Sequence, residues 1–169
     1  LSKLNLWKMT GVSSVSNNVF VELEKNTSVK ELDLGDTGYN NLAELGKALS
    51  KNKTLEVLNL RNNSINCSHT FAMLEELKKG ELSIKELNLA NNAFHSYNKP
   101  KHRNTIGELL QLGKFITYVD LTSSNIAKEH MESIGEALKP QNNLQLKTLI
   151  LRKNNIGKYG LKPIVEALK

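Results

Sequence analysis

The residues of this 169-residue chain best suited to catalysis or metal binding are one cysteine and four histidines. Cys67 and His69 stand two apart, His95 occupies a nearby turn position about one period on, and His130 opens a helical pattern. A structural zinc site needs four convergent donors at a recognisable spacing, and one cysteine with scattered histidines supplies fewer. A Cys67–His69 nucleophile pair lacks a third group to orient the base. No phosphate-cradling G-x-x-x-x-G-K-[ST] loop, nucleotide-binding glycine run or His-Glu zinc motif appears. The expectation is therefore no catalytic residue, no metal and no cofactor. Cys67 reads as a small buried apolar residue and His130 as a surface or partly packed one. A lone cysteine forms no internal disulfide, so a reducing, cytoplasmic setting is the default. That setting leaves the N-x-[ST] sequons at Asn26, Asn52, Asn62 and Asn66 unmodified.

Binding is the remaining chemistry, and it needs a frame. Six segments repeat the spacing apolar-x-x-apolar-x-apolar: Leu1/Leu4/Leu6, Val29/Leu32/Leu34, Leu55/Leu58/Leu60, Ile84/Leu87/Leu89, Ile116/Val119/Leu121 and Leu146/Leu149/Leu151. Stretches such as "LEVLNL" alternate apolar and polar residues at period two, as a short strand with one buried face requires. Helical spacing follows in Val15/Val19/Leu23, Leu42/Leu45/Leu49, Phe71/Leu74/Leu77, Met131/Ile134/Leu138 and Leu161/Ile164/Leu168. A unit this small cannot bury its apolar face alone, so the units must stack, strands on one side and helices on the other. Three residues past each strand's last apolar position stand Met9, Thr37, Asn63, Asn92, Ser124 and Asn154. An asparagine there can bond the backbone groups that a sharp turn leaves unpaired, which predicts structural roles for Asn63, Asn92, Ser124 and Asn154. Met9 cannot do this, so the first unit is expected to be distorted.

Side chains between the buried ones form columns across the sheet. They hold eight basic and six acidic residues, a mixture that suits a protein partner better than a nucleic-acid groove with clustered bases and stacking aromatics. Trp, Tyr and Arg dominate binding hot spots, so Trp7, Arg61, Tyr118 and Arg152 are the expected contacts, with Lys8, Asp33, Asp120 and Lys153 beside them. Trp7 fits either a contact or a cover over the end of the stack. The fourth unit is the longest, and its extra loop, "FHSYNKPKHRNT", offers His95, Tyr97, Lys101 and Arg103, with Lys99 and His102, as a second basic contact surface. The net charge of +6 permits contact with nucleic acid or an anionic membrane face. No apolar run reaches the length of about 18 residues that a membrane-spanning helix needs.

Six in-register copies, with endings such as "LGKALSKNKTLEVLNLRNNSI" and "IGEALKPQNNLQLKTLILRKNNIG", strongly resemble the leucine-rich repeat family in its ribonuclease-inhibitor-like subclass. The resemblance implies an α/β fold: a right-handed horseshoe solenoid of about six strand–helix units, with the parallel sheet on the concave face and helices on the convex one. It implies one repeat domain over 1–169, with units starting near 1, 29, 55, 84, 116 and 146. The chain opens at a leucine on a repeat strand and reads as a piece of a longer protein. The expected function is non-catalytic recognition of a partner protein on the concave strands. The alternatives are a targeting arm of a larger enzyme or of a bacterial effector in a host cell, and, more weakly, a basic nucleic-acid-binding surface.

Overall fold

The computed structural model describes residues 1–94, 102–142 and 144–169, excepting the side chains of 13–17. Val15 of the expected first helix and His95, Tyr97, Lys99 and Lys101 of the expected loop lie outside that description. Strands β1 (Lys3–Asn5), β2 (Glu31–Asp33), β3 (Val57–Asn59), β4 (Glu86–Asn88), β5 (Tyr118–Asp120) and β6 (Thr148–Ile150) pair in parallel and in sequence order. Leu4, Leu32, Leu58, Leu87, Val119 and Leu149 stand level across the sheet, the register that the spacing predicts.

Each strand is followed by a helix: α1 (Val12–Lys25), α2 (Leu42–Lys51), α3 (Cys67–Leu77), α4 (Thr105–Leu112), α5 (Lys128–Ala137) and α6 (Lys162–Ala167). The helices stack on one another on the convex side, and the core lies between the two layers. Leu42, Leu45 and Leu49 of α2, and Met131 and Ile134 of α5, are buried as the helical spacing requires. Fully burying each such side chain contributes about 1.5–3 kcal/mol. The fourth helix buries Ile106, Leu109 and Leu110 within eight residues, too short a stretch for its periodicity to stand out in the sequence.

Two expectations need correction. In the last unit, Pro163 sets the helix start at Lys162. Leu161 therefore precedes the helix and Leu168 follows it, 52% and 76% exposed, while Ala167 faces inward. His130 is 1% exposed, not a surface residue. It is the third residue of α5, and its Nδ1 accepts the backbone N–H of Ala127 (3.0 Å), closing the helix start from inside. His69 does the same for Asn66 at the start of α3 (3.3 Å). The first unit departs from the others as expected: Met9 is exposed, and Gly11 in a left-handed conformation (φ 77°) leads straight into α1.

Candidate functional site

Five of the six strands end on a side-chain acceptor. Asn5, Asp33, Asn59, Asn88 and Asp120 each accept, through Oδ1, the backbone N–H two residues on: Trp7, Gly35, Arg61, Ala90 and Thr122, at 2.8–3.1 Å. This local bond satisfies one N–H within its own unit, while the N–H groups before and after it, such as those of Leu6 and Lys8, still donate to the next unit. The following turn places Lys8, Asp36, Asn62, Asn91, Ser123 and Lys153 in the left-handed region, with φ between 53° and 57°. Asp33 and Asp120, expected as contacts, thus also brace their own turns. The two asparagines and the aspartate in this second set suit the conformation, and the lysines do not.

Behind the turn runs a second ladder. Asn63 Oδ1 accepts N–H groups of Thr37 and Tyr39 in the unit before, both at 3.1 Å, while its amide donates to the carbonyls of Leu34 (2.8 Å) and Leu60 (3.1 Å). Asn92 repeats the pattern on Asn63, Ile65, Leu60 and Leu89, and Asn154 on Ser124, Ile126, Leu121 and Leu151. Ser124 manages half of it, donating to the Leu89 carbonyl at 2.9 Å. Three of the sequon asparagines are likewise engaged: buried Asn52 donates to the carbonyls of Leu23 and Asn26, Asn26 accepts from Ser28 and Val29, and Asn66 caps α3. The repeat spacing predicts the second ladder; the Asn/Asp row at the strand ends carries the same signal, hidden by its place among surface columns.

On the concave face, a groove of about 300 Å³ crosses the middle strands, lined by Glu31, Asp33, Val57, Asn59, Glu86 and Tyr118 among others. Lys3 pairs with Glu31 (3.0 Å) and Lys85 with Glu56 (2.9 Å). Burial and the nearby Asp120 and Glu86 carboxylates push the Tyr118 hydroxyl above its ordinary pKa. Beyond the strands, Trp7 is half exposed, with its indole N–H donating to Asp36 (2.9 Å) and the Lys8 ammonium 4.5 Å from its ring centre. Its edge lies against Gly35, where a Cβ would meet Trp7 Cδ1 at 3.1 Å. Trp7 is therefore tied to the second unit and offers its remaining surface outward. Asn62 also donates to Asp36, and these hydrogen bonds, from Asn62 first and then Trp7, hold the Asp36 carboxyl below its ordinary pKa. Arg61 reaches across to Asn91, whose amide, turned with its oxygen toward the guanidinium, accepts from Nε (3.1 Å) and Nη2 (3.3 Å). Arg152 and Lys153 are exposed at the far end of the same rim. Trp7 and Lys8 thus form one cluster with Asp36 and Asn62, and Arg61 pairs with Asn91 beside it; hot-spot composition alone does not single out Asp36, Asn62 or Asn91.

The polar groups of the interior are arranged for structure. Cys67 Sγ lies 3.6 Å from His130 Nε2 and 3.6 Å from the Phe94 carbonyl oxygen, joining three units. Burial pushes the thiol pKa up and the imidazole pKa down, so both groups are held neutral rather than as an ion pair. His102, counted with the basic loop, is instead buried, with Nδ1 3.0 Å from Ser68 Oγ and its ring 4.8 Å from that of Phe71. Arg103 is exposed. Among the described residues no three His, Cys, Asp or Glu side chains gather as a metal site, and no helix is long and apolar enough to cross a membrane.

No curated protein matches the sequence. A leucine-rich repeat family model matches residues 51–66 and 142–165, each spanning a strand and its turn. A solved structure titled leiomodin-1 actin-binding site 2 superposes with a TM-score of 0.67 at 17% identity, over 89% of this chain and 86% of that one. The tropomodulin C-terminal domain of Caenorhabditis elegans does so with a TM-score of 0.62 at 17% identity, over 89% of each chain. At that identity the likeness shows the fold. With six in-register strand–helix units, asparagine-laced turns and this shared architecture, the chain has the leucine-rich repeat fold that its resemblance to the ribonuclease-inhibitor-like subclass implies.

Proposed function

We propose that the chain is a non-catalytic protein-recognition module that works through its concave strand face. The carrying observation is the order of that face. Short strands in one register, five of the six braced at their ends, present Tyr118 in the groove and Trp7, Arg61 and Arg152 along the rim beyond the strands. Side chains already fixed lose little conformational entropy on binding. Mixed charge and few aromatics favour a protein over a nucleic acid as partner. The leiomodin-1 structure that shares the fold is titled for an actin-binding site, so actin is the first partner to try.

The test is a titration against actin, then against cytosolic proteins captured with nuclease present. The chain is run beside an Arg61→Ala/Tyr118→Ala/Arg152→Ala variant and a separate Trp7→Ala variant. Truncating hot-spot residues costs about 2 kcal/mol or more each, so affinity in the triple variant falls at least about 30-fold. Matched far-ultraviolet dichroism and melting show that the folds agree. Unchanged affinity in a folded triple variant defeats the concave reading.

A further inference from the structure

Resting on that reading, we infer that the concave face takes a partner segment with a spine of Arg or Lys side chains, laid across the strands and flanked by acidic residues. The reason is a three-stripe charge pattern. The row entering the strands (Ser2, Lys30, Glu56, Lys85, Thr117, Lys147) has net charge +2. The two rows along the strands, with Lys3 against Glu31, Glu86, Asp33 and Asp120, have net charge −3. The two rows beyond, with Lys8, Arg61, Arg152 and Lys153 against Asp36, return to +3. At about 3.3 Å of rise per residue the acidic stripe is roughly 7 Å wide, the width of one segment, and the groove runs along it.

The negative charge there is not demanded by the fold. The brace at the ends of β1 to β5 needs only an acceptor oxygen, and neutral Asn5, Asn59 and Asn88 supply it in three units. The formal charge on Asp33 and Asp120 is additional to that role. Among the described residues, Glu86 and Asp120 lie within ion-pair distance of no cation, and they flank the Tyr118 ring in the paired register. A guanidinium or ammonium entering the groove meets the Glu86 carboxylate and Tyr118 in its lining, with the Asp120 carboxylate two residues further along the same strand. A chain of net charge +6 repels a polycation overall, so capture of one requires a local concentration of carboxylates such as this stripe.

The experiment measures binding of fluorescent deca-arginine and deca-glutamate at low salt, with backbone amide shifts to locate the site. An Asp33→Asn/Glu86→Gln/Asp120→Asn variant keeps every brace acceptor. A Glu75→Gln/Glu132→Gln/Glu136→Gln variant removes the same charge from exposed helix positions. Expected are deca-arginine binding with shifts around Tyr118, about tenfold weaker in the strand variant and less than about twofold changed in the helix variant. Absence of deca-arginine binding, or equal losses in both variants, overturns the inference. The two readings fail separately. A protein partner lost on Arg61/Tyr118/Arg152 truncation, but indifferent to the strand variant, sinks the basic-spine inference and leaves concave recognition standing.

Discussion

Asn63 shows why an amide, rather than a hydroxyl, suits the turn after the strand. Its oxygen serves two N–H groups of the preceding unit while its nitrogen serves a carbonyl on each side of the junction. Ser124 in the same role donates to Leu89, but the Phe94 N–H then turns to the Ser124 backbone carbonyl instead (3.0 Å). Each buried group left unpaired costs about 1–3 kcal/mol. Asn63→Ala is accordingly expected to lower stability by about 2–4 kcal/mol in urea titration, and Asn63→Ser by roughly half as much. A loss below that of an ordinary surface change would show that water replaces the amide. The left-handed rim gives the opposite case. Lys153 holds φ 55°, which suits asparagine better, so Lys153→Asn is expected to raise stability by up to about 1 kcal/mol by the same titration. Asp36 is the acid-sensitive group of this rim. Its carboxyl pKa is lowered from 3.8, so the stability linked to it is complete above that value and is lost as pH falls through the lower folded value. Emission from Trp7, the only tryptophan, is expected to hold steady from pH 7 to 4 and change below; Asp36→Asn abolishes the acid step. An identical step in that variant would place the titration elsewhere.

Helix packing and helix caps are where the sequence was least legible. Three-and-four spacing located five helices, and strand spacing fixed the whole sheet, because both depend on apolar residues recurring at short range. The fourth helix, the shortened sixth and the inward histidines depend on contacts with other units, which no local pattern records. Gly107 of α4 is one such contact: a Cβ there would lie 2.3 Å from the Ser133 backbone oxygen of α5. Gly107→Ala must push the two helices apart, and overpacking of this kind costs about 1–3 kcal/mol in chemical denaturation. A neutral effect would mean that the helices separate freely. His130 is another. Ala127 N–H, the Phe94 carbonyl and Cys67 surround it, with the charges of Glu129 and Arg103 felt from farther away; burial, the largest effect, lowers its pKa from 6.5. The neutral form is the folded one, so its stabilisation is full above pH 6.5 and declines as pH falls through the lower folded value. His69 shifts in the same direction for the same reason.

At the scale of the whole molecule, each unit is stabilised by its neighbours, and the two ends have fewer of them. Leu32, Leu58, Leu87 and Val119 in the middle strands are at most 2% exposed, whereas their counterparts Leu4 and Leu149 are only partly buried. Beside β1, an apolar hollow of about 430 Å³ lies open among Leu1, Leu4, Val19, Leu23 and Val29. The asparagine ladder thins toward that end too: Thr37 bonds Leu34 of its own unit and the Asn63 amide oxygen, and the first two units are joined through the sheet, the Trp7–Asp36 bond, the Lys3–Glu31 and Lys51–Glu24 pairs, the packing of α1 on α2 and the bonds from Asn52 to Leu23 and Asn26. In a stack governed by nearest-neighbour interfaces, opening begins where interfaces are weakest and proceeds inward. Native-state hydrogen exchange is therefore expected to rank the amides of Leu34, Leu60 and Leu89 as the slowest, with the residues of α6 and the first turn of α1 exchanging far earlier. Asp36→Asn weakens one of the ties across the first junction, so it should speed exchange in the first unit while leaving Leu89 unchanged. Protection that is uniform along the chain, or that falls everywhere in this variant, would mean that the six units unfold as one cooperative body, and the face they present would then be as rigid at its rims as at its centre.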